Sequence, residues 1–554
     1  MSITCQYYDF ESSVSPEPIT RQVTVEAKLD LPQEALYPEL IIGGDFQVGP
    51  LTTTIQEGAL LASGKIYPQM LYVTGDSPLP VSETGQEDAL ERYSPRENSY
   101  TWPTDQGIPF EEQVEVPGLN PKMMARVEIT PISAIYEPGG LGRINFQGKL
   151  SLRITPLFIQ RNQVVSGLTA PAPEKLNILK EQIAVEVAEG LKEAQYPIQS
   201  TLLIPNNKPG IYRILKHLIT PTGLSWETNR GKLSIRGNLN HSLIYIGGDD
   251  EGRPTQIYAN HWNQETGMAV PFEVHLESAQ IDQGHRIAPS VATGDFTVER
   301  RSYREIQCRI NLLVSVIITK TIQPEIVCEV NSNAGDLIDI QKSPLTLEEY
   351  NGEATGDLAI DLTLDLPFSQ PGIERLLAYE GRLISAEAEA TEQTVAVKGG
   401  LSCTLFYMAE GFDSPRFMMA RLESDSQRGI PVTGMIDFPG LASEARLEPQ
   451  LQLENLQLEM MGSRSLKLTG TVKAKVTART PRFMSILKDC ALVLPVDPAT
   501  RPSMLFYIVQ PEDTLWKIAR RYQTTVNALV RVNQLANSDQ LETGQKLLIP
   551  KQAG

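Results

Sequence analysis

Cysteine is scarce in this chain of 554 residues, and the few that occur show no pairing. The five are widely spaced and form no CxxC motif: Cys5, Cys308, Cys328, Cys403 and Cys490. Disulfide scaffolds use cysteines in even numbers, and structural zinc sites use closely spaced ligands such as a CxxC pair. We therefore predict reduced thiols of the kind found in a cytosol, without a disulfide framework or a zinc site.

Long apolar segments are also missing. The chain has no run of about 18 apolar residues, which is the length that a membrane helix needs. Residues 1–31 lack the basic start and the apolar core of a signal peptide. The sequence therefore predicts a protein that is made and kept inside a cell.

Positive charge is in deficit. The chain has 49 Lys and Arg against 67 Asp and Glu, which gives a net charge of -18. Nucleic acids and anionic membranes bind basic surfaces, so neither is expected as the main partner. From Met504 onward, six basic residues against four acidic ones give +2, which leaves -20 for the remainder.

Catalytic signatures are lacking as well. The chain has no Walker A sequence, no GxGxxG after a strand, no GxSxG and no HExxH motif. The histidines fall in the middle of the chain at spacings that match no common metal site: His217, His241, His261, His275 and His285. We assign no catalytic residue, no metal ligand and no cofactor, and we predict a protein that is not an enzyme.

What the chain does contain is a threefold internal repeat. An alternating apolar run ends in Pro, a Gly follows 32 residues later, and a Tyr follows 8 residues after that. The three triads are Pro32, Gly64 and Tyr72; Pro205, Gly237 and Tyr245; and Pro367, Gly399 and Tyr407. In the second and third copies the segments PGIYRIL (209–215) and PGIERLL (371–377) stand at the same distance from the triad.

Apolar residues at every second position, between turns rich in Gly, Pro and Asp, predict antiparallel sheets. Short helical turns are expected at the two PGI segments and around residues 174–182. The predicted fold class is mainly β, with three tandem related β-sandwich-like domains and a small α+β (βααβ) domain. The predicted ranges are 1–168, 174–330 and 345–482 for the repeats, 483–504 for a linker and 505–551 for the last domain.

The carboxy-terminal segment has its own pattern. A short strand at 506–510 leads through Glu512, Asp513 and Thr514 into two helices, and the sequence GQKLLIP (544–550) supplies a returning strand. From Tyr507 to Pro550 the pattern Y-x-V-x-x-x-D-T-L-x-x-I-A-x-x-Y, closed by N-x-L and G-Q-x-L-x-I-P, resembles the LysM family. Glu512 stands where that family usually has Gly, which adds a carboxylate.

The LysM resemblance implies a shallow ligand groove between the loop after the first strand and the loop after the second helix. In this sequence the groove residues are Glu512, Asp513, Thr514 and Leu515 on one side and Asn533, Gln534, Leu535 and Ala536 on the other. In the family, backbone groups there bind the N-acetyl groups of a sugar chain. The alternative is that these residues are the module's own helix caps and core.

Three related β-domains followed by LysM resemble the SipL-like family of spore-coat morphogenetic proteins, through segments 209–215, 371–377 and 507–550. The resemblance implies a scaffold of the mother-cell cytoplasm that gathers on the forespore surface in the spore coat. Its implied partners are a SpoIVA-like coat morphogenetic ATPase, bound by LysM, and other coat proteins, bound by the β-domains, which alternatively self-associate.

Two other functions remain open. In one, LysM binds peptidoglycan, a polymer containing N-acetylglucosamine, and the protein is a surface or cortex component. In the other, the β-domains assemble into an envelope layer or appendage that LysM anchors.

Overall fold

The computed structural model describes residues 3–32, 38–74, 96–140, 142–170, 176–249, 251–264, 266–282, 284–332, 338–411, 416–422, 429–492, 505–511, 513–522, 524, 526–535 and 541–550. Over these residues the chain is mainly β, as predicted, and it ends in a small module of strands and helices. No helix in these ranges has the length and apolar character of a membrane span.

The first repeat is built from two antiparallel sheets. Its strands are β1 (Thr4–Val14), β2 (Ile19–Asp30), β3 (Pro38–Val48), β4 (Thr52–Gln56), β5 (Ala59–Thr74), β6 (Glu97–Thr101), β7 (Ile108–Glu115), β8 (Met124–Pro138) and β9 (Arg143–Thr169). A 3-10 turn at Thr104–Gln106 precedes β7. In one sheet β9 pairs with β1, β2 and β8, and in the other β5 pairs with β3, β4, β6 and β7.

The second repeat follows the same plan. Its strands are β10 (Leu176–Gln182), β11 (Val185–Leu203), β12 (Gly210–Asn229), β13 (Lys232–Gly248), β14 (Pro254–Trp262), β15 (Val270–Glu277), β16 (His285–Arg300), β17 (Glu305–Ile322) and β18 (Glu325–Ser332). Strand β17 lies between β11 and β16, whereas β13 pairs with β12, β14 and β15.

In the third repeat the first and last strands are long and uninterrupted. Its strands are β19 (Ile338–Asp365), β20 (Ile373–Thr391), β21 (Thr394–Ala409), β22 (Arg416–Leu422), β23 (Ile430–Asp437), β24 (Arg446–Met460) and β25 (Ser465–Leu492). Strand β25 lies between β19 and β24, and β21 pairs with β20, β22 and β23.

In each repeat the two sheets pack face to face around an apolar core, which the period-two pattern produces directly. Along β15, for example, Phe272, Val274 and Leu276 are buried and the residues between them are exposed. Successive side chains of a strand point to opposite faces, so an alternating sequence buries one face and solvates the other. The predicted period-two strands are confirmed.

The residues of the repeated triad have defined packing roles. Gly64 lies opposite Phe110 and Gly237 lies opposite Phe272 in the paired strand. A Cβ at either glycine would come within 3.1 Å or 2.9 Å of the Phe ring. In the first two copies the Gly therefore makes room for an aromatic ring across the sheet, whereas Gly399 of the third copy lies opposite Val432.

The triad tyrosine ties the sheet to the PGI segment. Tyr245 donates a hydrogen bond to the Pro209 carbonyl at 3.0 Å, and Tyr407 donates one to the Pro371 carbonyl at 3.2 Å. Both tyrosines are buried. The common spacing of the two motifs in these copies thus reflects one hydrogen bond, made twice.

Each repeat also extends a two-stranded arm beyond its sandwich. The first arm is β1 with the end of β9, the second is β10 with β18, and the third is the start of β19 with the end of β25. One buried cluster joins all three arms: Phe10, Val164, Ile183, Val185, Ile326, Leu345, Leu347 and Ile486. The arms therefore share a core to which every repeat contributes.

A second shared core lies among the inner sheets. It contains Leu71 of the first repeat, Leu215, Ile244 and Ile246 of the second, and Phe406 and Phe417 of the third. Contacts between strands join the first repeat to the second, the second to the third, and the third to the first. The three repeats therefore pack together into one body.

Two features of the third repeat differ from the expected boundaries. The strand framework begins at Ile338, before residue 345, and it continues through Leu492, ten residues into the predicted linker. The reason is the third arm, in which Ile338 pairs with Leu492 and Pro344 pairs with Ser485.

The predicted helical turns were wrong. Residues 176–182 form β10 and pair with β18, and the PGI segments lead into β12 and β20. Pairing with a neighbouring strand satisfies the backbone amides and carbonyls there, so tertiary contacts override the local turn signal.

The last module has the order strand, helix, helix, strand. Its elements are β26 (Leu505–Ile508), α1 (Leu515–Arg521), α2 (Val526–Asn533) and β27 (Lys546–Ile549). Strands β26 and β27 pair antiparallel.

Candidate ligand-binding site in the carboxy-terminal module

A small apolar core holds the module together. Its buried members are Tyr507, Val509, Leu515, Ile518, Ala519, Leu529, Leu547 and Ile549. The helical members recur at spacings of three and four, which places them on one helix face. Leu515, predicted to line the groove, is only 2% exposed, so its side chain belongs to this core.

The first loop of the predicted groove is held by Asp513. Its carboxylate accepts hydrogen bonds from the Tyr507 hydroxyl at 2.6 Å and from the Gln510 amide at 2.8 Å. The hydrogen bond from Tyr507 lowers the pKa of Asp513, with the Gln510 amide next in effect. The Asp513 carboxylate therefore joins the start of α1 to the end of β26.

Thr514 is exposed and caps α1. Its hydroxyl accepts a hydrogen bond from the Lys517 amide at 3.2 Å, the usual N-cap interaction. The Thr514 side chain is thus both exposed to solvent and part of the helix cap.

The second loop is held by Asn533. Its side-chain amide donates to the carbonyls of Leu529 and Leu548, both at 2.8 Å, and its oxygen accepts from the Leu548 amide at 2.6 Å. These bonds join the end of α2 to β27. Asn533 therefore acts on a ligand only through the loop that it positions.

Gln534 and Leu535 complete the described part of this loop. Gln534 is exposed and has a φ of 51°, a left-handed conformation that ends the helix. Leu535 is half-buried and packs on the module core. Glu512 and Ala536, also predicted to line the groove, lie outside the described residues.

The predicted groove thus contains two kinds of residue. Asp513, Leu515 and Asn533 hold the module together, whereas Thr514 and Gln534 present side chains to solvent. A ligand at this site would meet chiefly backbone groups and short polar side chains. Such a surface suits hydrogen bonding to the amides and hydroxyls of a sugar chain.

An apolar surface on the module was not anticipated. Phe506 and Ile508 are 55% and 56% exposed, and Trp516 is 44% exposed. The Lys546 ammonium lies 4.3 Å from the centre of the Phe506 ring. The alternation along β26 could have revealed the first two, because burial of Tyr507 and Val509 turns their neighbours outward.

A cluster that could hold a metal lies in the second repeat. One ligand atom each from His217, His241 and Cys308 lies within 4.8 Å of the others, and all three side chains are buried. Sequence spacing gave no sign of it, because strands β12, β13 and β17 bring the three together from distant positions.

The cluster is built as a chain of neutral groups. His217 Nε2 lies 3.2 Å from His241 Nδ1, and its Nδ1 lies 3.6 Å from the Cys308 Sγ. Burial lowers the pKa of His241 to about 4, and burial, with His241 and Lys216 adding to it, lowers that of His217. Burial raises the pKa of the Cys308 thiol to about 12. A neutral hydrogen-bonded chain accounts for this arrangement.

Comparison with known proteins identifies one part of the chain. No curated protein and no solved structure matches it. The LysM domain family matches residues 507–550, over the strands and helices just described. The chain therefore carries a carboxy-terminal LysM domain, a type of module that implies binding to peptidoglycan or a related glycan.

Proposed function

We propose that this chain is a non-enzymatic anchoring and assembly protein, in which LysM holds a glycan containing N-acetylglucosamine and the three-repeat body carries other proteins. The observation behind this proposal is the LysM match over residues 507–550. The body supports a scaffold role because its three repeats share two apolar cores.

The groove favours a glycan ligand for a physical reason. Asp513 and Asn533 hold residues on both sides of the predicted groove through hydrogen bonds within the module, which lowers the ordering cost when a sugar binds. The site is shallow, and a single module of this kind binds weakly. Several copies of the protein on one polymer would bind more tightly through effective concentration.

Retention on insoluble peptidoglycan and titration with N-acetylglucosamine oligomers test the proposal. The full chain should bind saturably, and a chain ending at residue 504 should not. Gln534→Gly removes an exposed amide at a backbone conformation that glycine adopts without strain, and it should weaken binding several-fold.

Arg531→Gln is the matched control, because Arg531 is exposed on α2, one turn before the loop. It should bind the oligomers as the full chain does. Equal retention of the truncated chain would place the glycan site outside LysM and refute the proposal.

The second candidate is a spore-coat adaptor. In this scheme LysM docks on a coat morphogenetic ATPase, and the body recruits coat proteins or self-associates, first in the mother-cell cytoplasm and then at the forespore surface. The observation that favours it is the exposed apolar pair Phe506 and Ile508, since protein interfaces use such side chains at their centre. The positive module on an acidic body also separates two contact surfaces.

One pair of variants separates the two candidates. Ile508→Ser changes the apolar face and leaves the groove loops intact, so it should abolish capture of the purified ATPase while glycan binding persists. Gln534→Gly should do the reverse. Absence of any saturable binding between the full chain and the ATPase would refute the adaptor role.

A further inference from the structure

The two ends of the three-repeat body meet at a pair of cysteines. Cys5 lies near the start of β1 and Cys490 near the end of β25, 485 positions apart in sequence. Their Sγ atoms are 3.6 Å apart. A disulfide needs the sulfurs at about 2 Å, so bond formation requires the two sulfurs to approach further.

The surroundings of the pair are fixed by packing. Cys490 is 4% exposed and sits in a cluster with Ile3, Val165 and Leu487, against which Cys5 also packs. Cys5 pairs with Leu168 in the first arm and Cys490 pairs with Ile340 in the third. Both thiols are thus held in position by the arms to which they belong.

The other three cysteines lie elsewhere in the fold. Cys308 and Cys403 are buried in the separate cores of the second and third repeats. Cys328 is half-buried, and its thiol lies 3.7 Å from a Glu181 carboxylate oxygen. These three thiols serve as internal controls, because a reagent that oxidised cysteines without regard to position would reach Cys328.

We propose that Cys5 and Cys490 form a reversible disulfide that closes the body, with a small-molecule disulfide such as oxidised glutathione as the oxidant. The partly exposed Cys5 reacts first: its thiolate attacks the external disulfide and releases one small thiol. Cys490, as a thiolate, then attacks the Cys5 sulfur of the mixed disulfide and releases the second. The two protein thiols lose two electrons and two protons, and one external disulfide becomes two thiols.

The Asp489 carboxylate affects the rate of this exchange. Its Oδ1 lies 3.4 Å from the Cys5 Sγ and also accepts the Cys490 amide at 2.8 Å. Burial, with Cys5 and Asp489 adding to it, raises the pKa of the Cys490 thiol to about 12, so the second step should be slow at neutral pH and accelerate as pH rises. Asp489→Asn should accelerate it several-fold.

The disulfide would lie close to the point where the body ends and the chain continues toward the LysM domain. Strand β25 ends at Leu492, two residues beyond Cys490, and the chain then continues toward the LysM domain. In the oxidised protein the disulfide joins β1 to β25. The first and third arms therefore cannot separate at the point where the ends of the body meet.

The experiment uses the full chain treated with oxidised glutathione, followed by intact mass, thiol titration after denaturation and peptide mapping. The number of free thiols should fall from five to three with a mass loss of about two hydrogens. A peptide pair joining Cys5 to Cys490 should appear and disappear with a reductant. The melting temperature should rise on the order of 5 °C.

Three variants complete the test. Cys5→Ser should give no crosslink and no rise in melting temperature, Cys490→Ser should stop at a glutathione adduct on Cys5, and Cys328→Ser should behave as the original chain. Because Cys490 is buried, Cys5→Ser decides the matter if Cys490→Ser fails to fold. Oxidation that links Cys5 between two molecules, or that leaves five thiols intact, would overturn the proposal.

Discussion

At the scale of single residues, the repeat is a set of packing positions. Gly237 faces Phe272 across the sheet, and Tyr245 reaches the carbonyl of Pro209. The spacing of these residues could be read from the sequence, but their roles could not, because each depends on a neighbour that only the pairing of strands supplies.

Gly237→Val should destabilise the protein by about 1–3 kcal/mol, as overpacking of a filled core does. The reason is that a Cβ there would lie 2.9 Å from both the Leu224 side chain and the Phe272 ring. Urea unfolding measures the effect. Gly462→Ala is the control, because no heavy atom lies within 4 Å of its Cβ position, and it should leave the midpoint unchanged.

The buried histidines make stability depend on pH. In the folded protein burial lowers the pKa of His241 to about 4, whereas the unfolded chain takes up a proton near the ordinary value of 6.5. The contribution of the buried neutral histidine to the free energy of unfolding is therefore fully present above pH 6.5. It is lost as pH falls toward 4, by up to about 1.4 kcal/mol per pH unit for each histidine.

Denaturant unfolding at pH 7 and pH 5 tests this expectation. His241→Cys introduces the residue that the third repeat has at the corresponding position, Cys403, four residues before its triad tyrosine. The variant should lose less stability between the two pH values than the original chain. Identical losses would show that this histidine stays protonated or exposed.

At the scale of elements, the second and third repeats are joined by a buried ion-pair network. Glu186 on β11 contacts Arg286 at 2.6 Å and Arg479 of β25 at 2.8 Å, and it accepts the Thr319 hydroxyl at 2.8 Å. Burial raises the pKa of Glu186, but Arg479 and Arg286 outweigh it, and the net pKa is lowered. The carboxylate is thus retained in charged form between the two repeats.

Glu186→Gln should cost on the order of 1–3 kcal/mol, less than the loss of the sole partner of a buried charge, because Arg479 keeps Glu448 and Arg286 keeps Glu353. Two arginines would then remain without their shared carboxylate. Thermal unfolding of Glu389→Gln gives the comparison, since its partner Lys398 and Glu389 itself are 51% and 66% exposed. That surface pair should contribute less than about 1 kcal/mol.

The strands themselves were the predictable part of these elements. In β17, for example, burial alternates strictly from Ile306 to Val316, and the apolar residues of the sequence follow the same period. The arms were not predictable, because the segment Leu176–Gln182 has no feature that distinguishes a strand paired with β18 from a short helical turn. Its partner lies about 150 residues away, beyond the reach of local patterns.

At the scale of the whole molecule, the shared cores make the three repeats interdependent. The arm cluster takes Phe10 from the first repeat, Ile326 from the second and Ile486 from the third. The LysM domain has a separate core of its own. Cooperative unfolding of the body, independent of LysM, is the expected behaviour.

Deletion of residues 338–492 should therefore unfold the first two repeats, or leave them aggregated, because it exposes two apolar clusters. A chain ending at residue 504 should instead keep the melting temperature of the body. Calorimetry with circular dichroism distinguishes these outcomes. A stable, monomeric two-repeat fragment would contradict the interdependence.

The candidate site was predictable as a sequence motif, but the structural roles of its individual residues were not. The LysM pattern located Asp513, Leu515 and Asn533, yet their inward hydrogen bonds and burial come from β26 and β27, which the pattern alone does not orient. The histidine and cysteine cluster gave no sequence signal at all, since its members stand on three different strands.

The meeting of the first and last strands of the body has a consequence for how such a chain can be rearranged. Because Cys5 and Cys490 are neighbours, a short peptide joining the two ends would make the body nearly cyclic, and new termini could open between the first repeat, whose β9 ends at Thr169, and the second, whose β10 begins at Leu176. Such circular permutants should fold, as should an assembly of three separate single-repeat chains that regain the same contacts. The three-repeat body thus has the arrangement of a trimer whose subunits are joined in one chain.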